Sequence, residues 1–439
     1  MMTMKRNALW CAMAAASAGL MSGCGGGDDG PQRGALLEAP ASVATLSAAQ
    51  IDAAMAAGGL QALTGKARCD VKIVALNYRT VDPKNADANV SGAMLVPTGA
   101  ACSGPAPLVA YARGTDVAQG RTMASATDAE TGMAMGFLAA QGYAVVLTDY
   151  LGYAKSTFPY HPYLHADSEA ASVIDSIRAA RNAAAGVGAN LSGKVMLAGY
   201  SQGGHAASAA QRNGERDNAA ELNIVGAALM GAPFNVSDSA RQPIAGVQVF
   251  VPLAITAWQK TYGNIYTDVN TVFRKPYADT IENLIPSRTL NVATMVASGA
   301  LPGANGESPE QARAAILQPA FLADYVSNNQ NPVYLAAKRN DLMDWTPRAR
   351  TLLCQGSGDP TIPYALNQKA FKALLDTRGA THVTAVDVDA QVQATFGTNG
   401  AAPTDPANPA FAKYYGGYHG SYAPPFCFAQ ARALFDTVK

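Results

Sequence analysis

Between residues 143 and 230 short apolar runs alternate with helical stretches, and this alternation constrains the fold more than any other feature. Residues 144–147, 194–198 and 224–230 are brief aliphatic runs of the kind that form strands buried on both faces. Between them lie 168–185, a long Ala-rich helical stretch closed by Gly186 and Gly188, and 201–211, a second helix. Strand, helix, strand, helix, strand with short connections predicts a parallel sheet covered on both sides. An antiparallel pair, 71–81 with 90–96, precedes it. A brief strand at 108–112 and a helix at 131–141, stopped by Gly142, follow that pair. The rhythm resumes late with strand 351–355, helix 364–377, strand 383–388 and helix 428–438. The expected fold class is α/β, with a mostly parallel central sheet flanked by helices.

The interval 235–346 does not follow this rhythm. Pro and Gly separate helical patches such as 309–316, and over a hundred residues between two sheet strands is too long for a loop. It is expected to be an inserted, mainly helical cap. The core is then split into 46–234, opening on a helix at 46–57, and 347–439. Lys+Arg and Asp+Glu are both 32, so no charge excess points to nucleic acid.

The first residues read as a leader. Lys5 and Arg6 precede the apolar run 8–20, which is too short and Ala-rich for a membrane span. Met21-Ser22-Gly23-Cys24 then resembles a bacterial lipobox, with Met where Leu is more usual. That makes 1–24 a signal peptide and Cys24 the lipidation site, an exported chain tethered to a membrane. Cleavage by ordinary signal peptidase is the alternative. Residues 25–45, Gly- and Asp-rich at the start, are expected to be a flexible linker. Four cysteines remain beyond the leader, an even number in an exported chain, which favours disulfides. Of the three pairings, Cys69–Cys102 would close the antiparallel pair, and Cys354–Cys427 would tie a late strand to the last helix.

Gly199-Tyr200-Ser201-Gln202-Gly203 matches G-x-S-x-G. A chain with 41 glycines meets such a pattern by chance often enough that context must decide. The context is the required one: an apolar strand enters the motif and a helix leaves it. The glycines allow a strained turn that lifts the Ser201 hydroxyl above the sheet. The Gln202 N–H then falls at a helix N-terminus, ready to meet an oxyanion.

A serine nucleophile needs a base and an acid, in the chain order Ser, Asp or Glu, His. Of five histidines, His161 and His165 precede the serine, and His205 lies one turn into its helix. His382 begins a strand, at the wrong end of the sheet. His419, in an irregular loop after the last strand, is the expected base, because catalytic groups gather at the carboxyl ends of strands. Asp359, in Gly358-Asp359-Pro360 just after strand 351–355, is the expected acid. A turn aspartate before proline is its ordinary alternative role. Asp387 and Asp389 are rivals, and Asp341 and Asp344 fit worse. The second oxyanion donor is expected from Arg113-Gly114-Thr115, through the Thr115 N–H. Arg113 itself reads as an exposed cation or as half of a loop-bracing ion pair. Tyr153, Phe158, Tyr160 and Tyr163, with the cap, would wall an apolar acyl site; packing between cap and sheet is their alternative role.

These pieces resemble the bacterial and fungal secretory lipases and esterases of the α/β-hydrolase superfamily. The likeness rests on Val146-Leu147-Thr148-Asp149-Tyr150-Leu151-Gly152-Tyr153, on 171–181, on the turn at Ser201, on Gly358-Asp359-Pro360-Thr361-Ile362-Pro363 and on His419-Gly420. It spans roughly 70–233 and 350–425 and leaves the cap unmatched. It implies a Ser201–Asp359–His419 triad, with Tyr150 at a pocket wall or packed on the sheet. Relatives often carry His-Gly-Thr where this chain has Arg113-Gly114-Thr115. The expected activity is hydrolysis of a small-molecule or lipid ester through an acyl-enzyme, by a monomer with no metal or organic cofactor. A peptidase or amidase using the same triad, and a non-catalytic surface-anchored binding protein, are the alternatives.

Overall fold

The computed structural model describes residues 32–439. Residues 1–24, expected to be a signal peptide, and with them Cys24, lie outside the described residues. Among the described residues nine strands form one sheet: β1 (Ala41–Leu46), β2 (Asp70–Val81), β3 (Asp87–Thr98), β4 (Ala106–Ala112), β5 (Ala144–Thr148), β6 (Leu191–Tyr200), β7 (Ile224–Met230), β8 (Arg350–Gln355) and β9 (Val383–Asp387). Their spatial order is β1-β2-β3-β5-β4-β6-β7-β8-β9. The pairs from β1 to β3 and β3 with β5 are antiparallel, and every pair from β5 to β9 is parallel. This is the mixed sheet with flanking helices that the alternation in the sequence predicts.

The strands are apolar throughout because both faces are covered. Alternate residues point to opposite faces, so Leu108, Ala110 and Ala112 of β4 enter one core while Val109 and Tyr111 enter the other. The first core takes the helices Ala166–Val187 and Gln202–Asp217, and the second takes Ala129–Phe137 and Ala423–Asp436.

The chain leaves β4, forms β5 on one side, then returns to form β6 on the other. Such a reversal opens a crevice at the carboxyl ends of the two strands, which is where α/β sheets place their ligands. The loop 113–116 and Ser201 sit at those ends.

Of the stretch 25–45 expected as a linker, the described residues contact the fold. Arg33 Nε bonds the buried Asp175 carboxylate at 3.0 Å, and β1 extends the sheet against β2. The helix expected at 46–57 begins at Ala48, capped by Ser47. Asp175 needs a cation in its buried position, and Arg33 supplies one beside Arg178. Between β7 and β8 the chain is mainly helical, including Val247–Tyr262, Pro309–Ile316, Pro319–Ser327 and Pro332–Arg339. These helices share their own apolar cluster, with Trp258, Phe273, Ile316 and Val333 at its centre.

Cys69–Cys102 and Cys354–Cys427 are both disulfide-bonded, with Cα atoms 5.8 and 5.6 Å apart. Among the described residues no helix is long and apolar enough to cross a membrane.

Candidate active site

Ser201 sits between β6 and the helix Gln202–Asp217 with φ 59° and ψ −124°, a strained conformation for a residue with a side chain. Its N–H donates to Met230 O of β7 at 2.9 Å, and its carbonyl accepts from Gly204 and His205. The turn is tight enough to exclude side chains at the motif glycines. A Cβ on Gly199 would lie 2.0 Å from Gly203 O, and one on Gly203 would lie 1.9 Å from Ala112 O. Both obstacles are backbone, so neither can swing aside.

The structure brings Ser201, His419 and Asp359 together. His419 Nε2 lies 2.8 Å from Ser201 Oγ, and Nδ1 lies 2.6 Å from Asp359 Oδ2. Asp359 accepts only, so the ring carries its hydrogen on Nδ1 and offers a lone pair to the serine hydroxyl. The Tyr200 ring packs against the His419 ring at 5.2 Å.

His419 does not lie in an irregular loop. It occupies one turn of π-helix, Tyr418–Tyr422, between the helices Pro409–Gly417 and Ala423–Asp436. Pro424 and Pro425 have no N–H to give the carbonyls of Gly420 and Ser421, so the ladder slips and Ala423 N–H reaches Tyr418 O.

The rival acids are occupied elsewhere. Asp387 Oδ1 accepts the N–H of Ser357 and of Asp389, and Asp389 Oδ1 takes the Tyr418 hydroxyl. Asp341 bonds Ser237 and Lys338. His382 bonds Pro347 O at the far end of the sheet.

The loop after β4 departs from expectation at Arg113. The guanidinium is fully buried and forms no ion pair among the described residues. It donates to Gly114 O and Asp149 O and lies 4.2 Å from the centre of the Tyr153 ring. Carbonyls and an aromatic face hold the cation in place of a carboxylate. Glu130 Oε1 takes the Gly114 N–H at 2.9 Å, and Thr115 Oγ1 lies 2.9 Å from the Tyr163 hydroxyl. Neither the Thr115 nor the Gln202 backbone N–H has a partner among the described residues. Tyr150, at φ 71°, is buried and bonds Arg113 O, a bracing role.

An apolar cavity of about 60 Å³ reaches Ser201 and Gln202. Of the four aromatics singled out from the sequence only Tyr163 lines it. Tyr153 is spent on Arg113 and His161, and Phe158 packs on Tyr160. Most of the wall comes from the inserted segment: Val236, Ile244, Phe250, Val251, Ala254, Ile255, Trp258, Tyr325 and Val333. Sequence reasoning gave the cap a share of this wall but named none of these residues, although Val247–Tyr262 is an almost uninterrupted apolar stretch.

The model of the secretory lipase family matches residues 118–386, more than half of the chain. The chain belongs to the secretory lipase family. The solved structure of a ligand-bound form of the rice cell wall degrading esterase LipA from Xanthomonas oryzae is 33% identical, with a TM-score of 0.80, covering 93% of this chain and 100% of that one. A putative hydrolase from Legionella pneumophila, 20% identical over 92% of this chain and 98% of its own, shares the fold at a TM-score of 0.73. Candida antarctica lipase A is 18% identical over 80% of this chain and 76% of its own, at 0.57. No curated protein sequence matches. This member of the family is therefore an α/β-hydrolase and a carboxylic ester hydrolase, and its family points to export.

Proposed function

We propose that this lipase-family enzyme cleaves esters by a serine mechanism through an acyl-enzyme. Ser201 Oγ attacks the ester carbonyl as His419 Nε2 takes its proton. Asp359 holds the ring in the required tautomer and stabilises the imidazolium. The N–H groups of Gln202 and Thr115 receive the oxyanion, in an environment where each such bond is strong. Collapse of the tetrahedral intermediate expels the alcohol, which leaves with the proton from His419. Water, activated by the same ring, then releases the acid and restores Ser201.

The observation that carries this reading is the His419 ring, bonded to Ser201 at 2.8 Å and to Asp359 at 2.6 Å beside an apolar cavity. The cavity favours an acyl chain over a charged peptide side chain, so an ester is preferred to a peptide substrate. Residues 235–346 act as the cap that supplies most of its wall. We also propose export as a lipoprotein, tethered through Cys24. A fluorophosphonate probe should label the wild type and not Ser201→Ala, and ester turnover should vanish with the label. Labelling retained in Ser201→Ala would overturn the assignment.

A further inference from the structure

Beneath the nucleophile helix lies a polar network that the triad does not use. His161, Glu169, Gln202 and His205 are all buried. Glu169 Oε1 accepts from Gln202 Nε2 at 2.8 Å and from the Leu164 N–H at 3.2 Å. Glu169 Oε2 lies 2.7 Å from His205 Nδ1. The other ring nitrogen of His205 lies 2.8 Å from the carbonyl oxygen of Asn340.

A carbonyl can only accept, and so can a carboxylate. Both nitrogens of His205 thus face acceptors. A neutral imidazole beside a carboxylate would leave a lone pair pointing at an oxygen on one side or the other, so the pair must hold one proton more. Three donors converge on the Glu169 oxygens, and Glu169 lies in the first turn of the helix Ala166–Val187. Both conditions favour the carboxylate, which puts the extra proton on the ring.

Other titratable groups surround the pair. Burial pushes the His165 pKa down and those of the Tyr150 and Tyr163 phenols up, disfavouring a charge on each. Asp167 is the other carboxylate near this helix start, and its side chain is 73% exposed. On the far side His161 Nδ1 lies 3.0 Å from Leu151 O, and its Nε2 lies 2.7 Å from Gln202 Nε2. Burial and the nearby Arg113 guanidinium push the His161 pKa down to about 3, so that ring is neutral and accepts from Gln202. Both hydrogens of the Gln202 amide are then directed, one to Glu169 and one to His161. Asn340 adds the inserted segment: its Oδ1 accepts the Ala166 N–H, and its Nδ2 donates to the Tyr262 hydroxyl.

We propose that His205 is a buried imidazolium paired with Glu169, and that this pair, acting through the Gln202 side-chain amide, holds the Gln202 backbone N–H where the oxyanion forms. Glu169 and His205 are positioning residues. The proposal rests on Gln202 serving as an oxyanion donor.

Glutamine at position 169 separates the parts of this idea. Its Oε1 accepts from Gln202 and Leu164 as before, and its amide donates to His205 Nδ1. The ring then becomes neutral with every bond kept. In protein labelled with ¹⁵N-histidine, assigned by single substitution of the five histidines, both ring nitrogens of His205 should be protonated at neutral pH in the wild type. Only one should be protonated in Glu169→Gln. Glu169→Ala should lower kcat on an ester roughly 10- to 100-fold with KM within about twofold, as a misplaced donor does. Glu169→Gln should recover kcat to within about threefold of wild type. Gln202→Met, which keeps the volume and removes the hook, carries the kcat test should the alanine variant not fold. An unprotonated His205 nitrogen in the wild type overturns the shared proton. Full kcat in Glu169→Ala or Gln202→Met, or no recovery in Glu169→Gln, overturns the positioning role. Activity retained in Ser201→Ala would instead sink the serine mechanism and leave the ring-nitrogen result standing.

Discussion

Asp359 divides its two oxygens between separate tasks: Oδ2 lies 2.6 Å from His419 Nδ1, while Oδ1 accepts the backbone N–H groups of Thr361 and Ile362 at 2.8 and 3.1 Å. The backbone pair fixes the carboxylate so that the other oxygen can fix the ring. Asparagine keeps the first function and reverses the second. Its Oδ1 still takes both N–H groups, and its amide then donates to His419 Nδ1. The ring must carry its hydrogen on Nε2, facing Ser201, where it cannot accept a proton. Asp359→Asn should therefore fold normally and lose about 10⁴ in kcat. Steady-state kinetics on a soluble ester, with the melting temperature as a folding control, decides this. A loss of only a few-fold would move the acid role elsewhere.

His161 gives the enzyme an acid sensitivity of its own. Burial, with Arg113 adding to it, holds the folded-state pKa near about 3. In the unfolded chain a histidine takes its proton near about 6.5. The stability tied to this difference is whole above about pH 6.5 and drains as pH falls toward 3. At about 1.4 kcal/mol per unit, some 3 kcal/mol is gone at pH 4. His161→Gln has no proton to take up. It should be the less stable protein at pH 7 and close most of that gap at pH 4. Urea unfolding of both proteins at the two pH values measures it, and parallel losses in the two would rule His161 out as the cause.

Much of this was legible in the sequence because its causes are local. Strands covered on both faces must be continuously apolar, which made β5, β6 and β7 stand out. The turn at Ser201 needs small neighbours, and the order of Ser201, Asp359 and His419 follows from which strand ends meet. β1 left no such trace, because it is a short edge strand with mostly exposed residues and no alternation. Gln318-Pro319 and Asn331-Pro332 each place a proline at a first helical position, a readable signal for two helices of the inserted segment. Pro424-Pro425 likewise marks the slipped turn that carries His419. The network of Glu169, Gln202 and His205 had no local signal, since its partners are 33 and 36 residues apart and meet only when two helices pack. Arg113 was misread for the same reason: beyond its neighbour Gly114, the Asp149 carbonyl and the Tyr153 ring that satisfy it come from another loop.

The cavity beside Ser201 sets an expectation for chain length. An apolar cavity of about 150 Å³ holds one benzene ring, whereas this one measures about 60 Å³. It therefore suits an acyl group of up to about four carbons, and kcat/KM should fall for chains of eight or more unless the cap helices move apart. Ala254 and Ile255 present the helix Val247–Tyr262 to this space, and Ala254 is buried with only a methyl group to fill its side. Ala254→Val adds two methyl groups where the chain would lie. It should leave acetyl ester turnover within about threefold of wild type and cut butyryl ester turnover at least about tenfold, because excluding two methylenes forfeits about 1.6 kcal/mol. Esters graded by acyl length, assayed on both proteins, provide the measurement. An unchanged chain-length profile in the variant would mean that the acyl group lies outside this cavity.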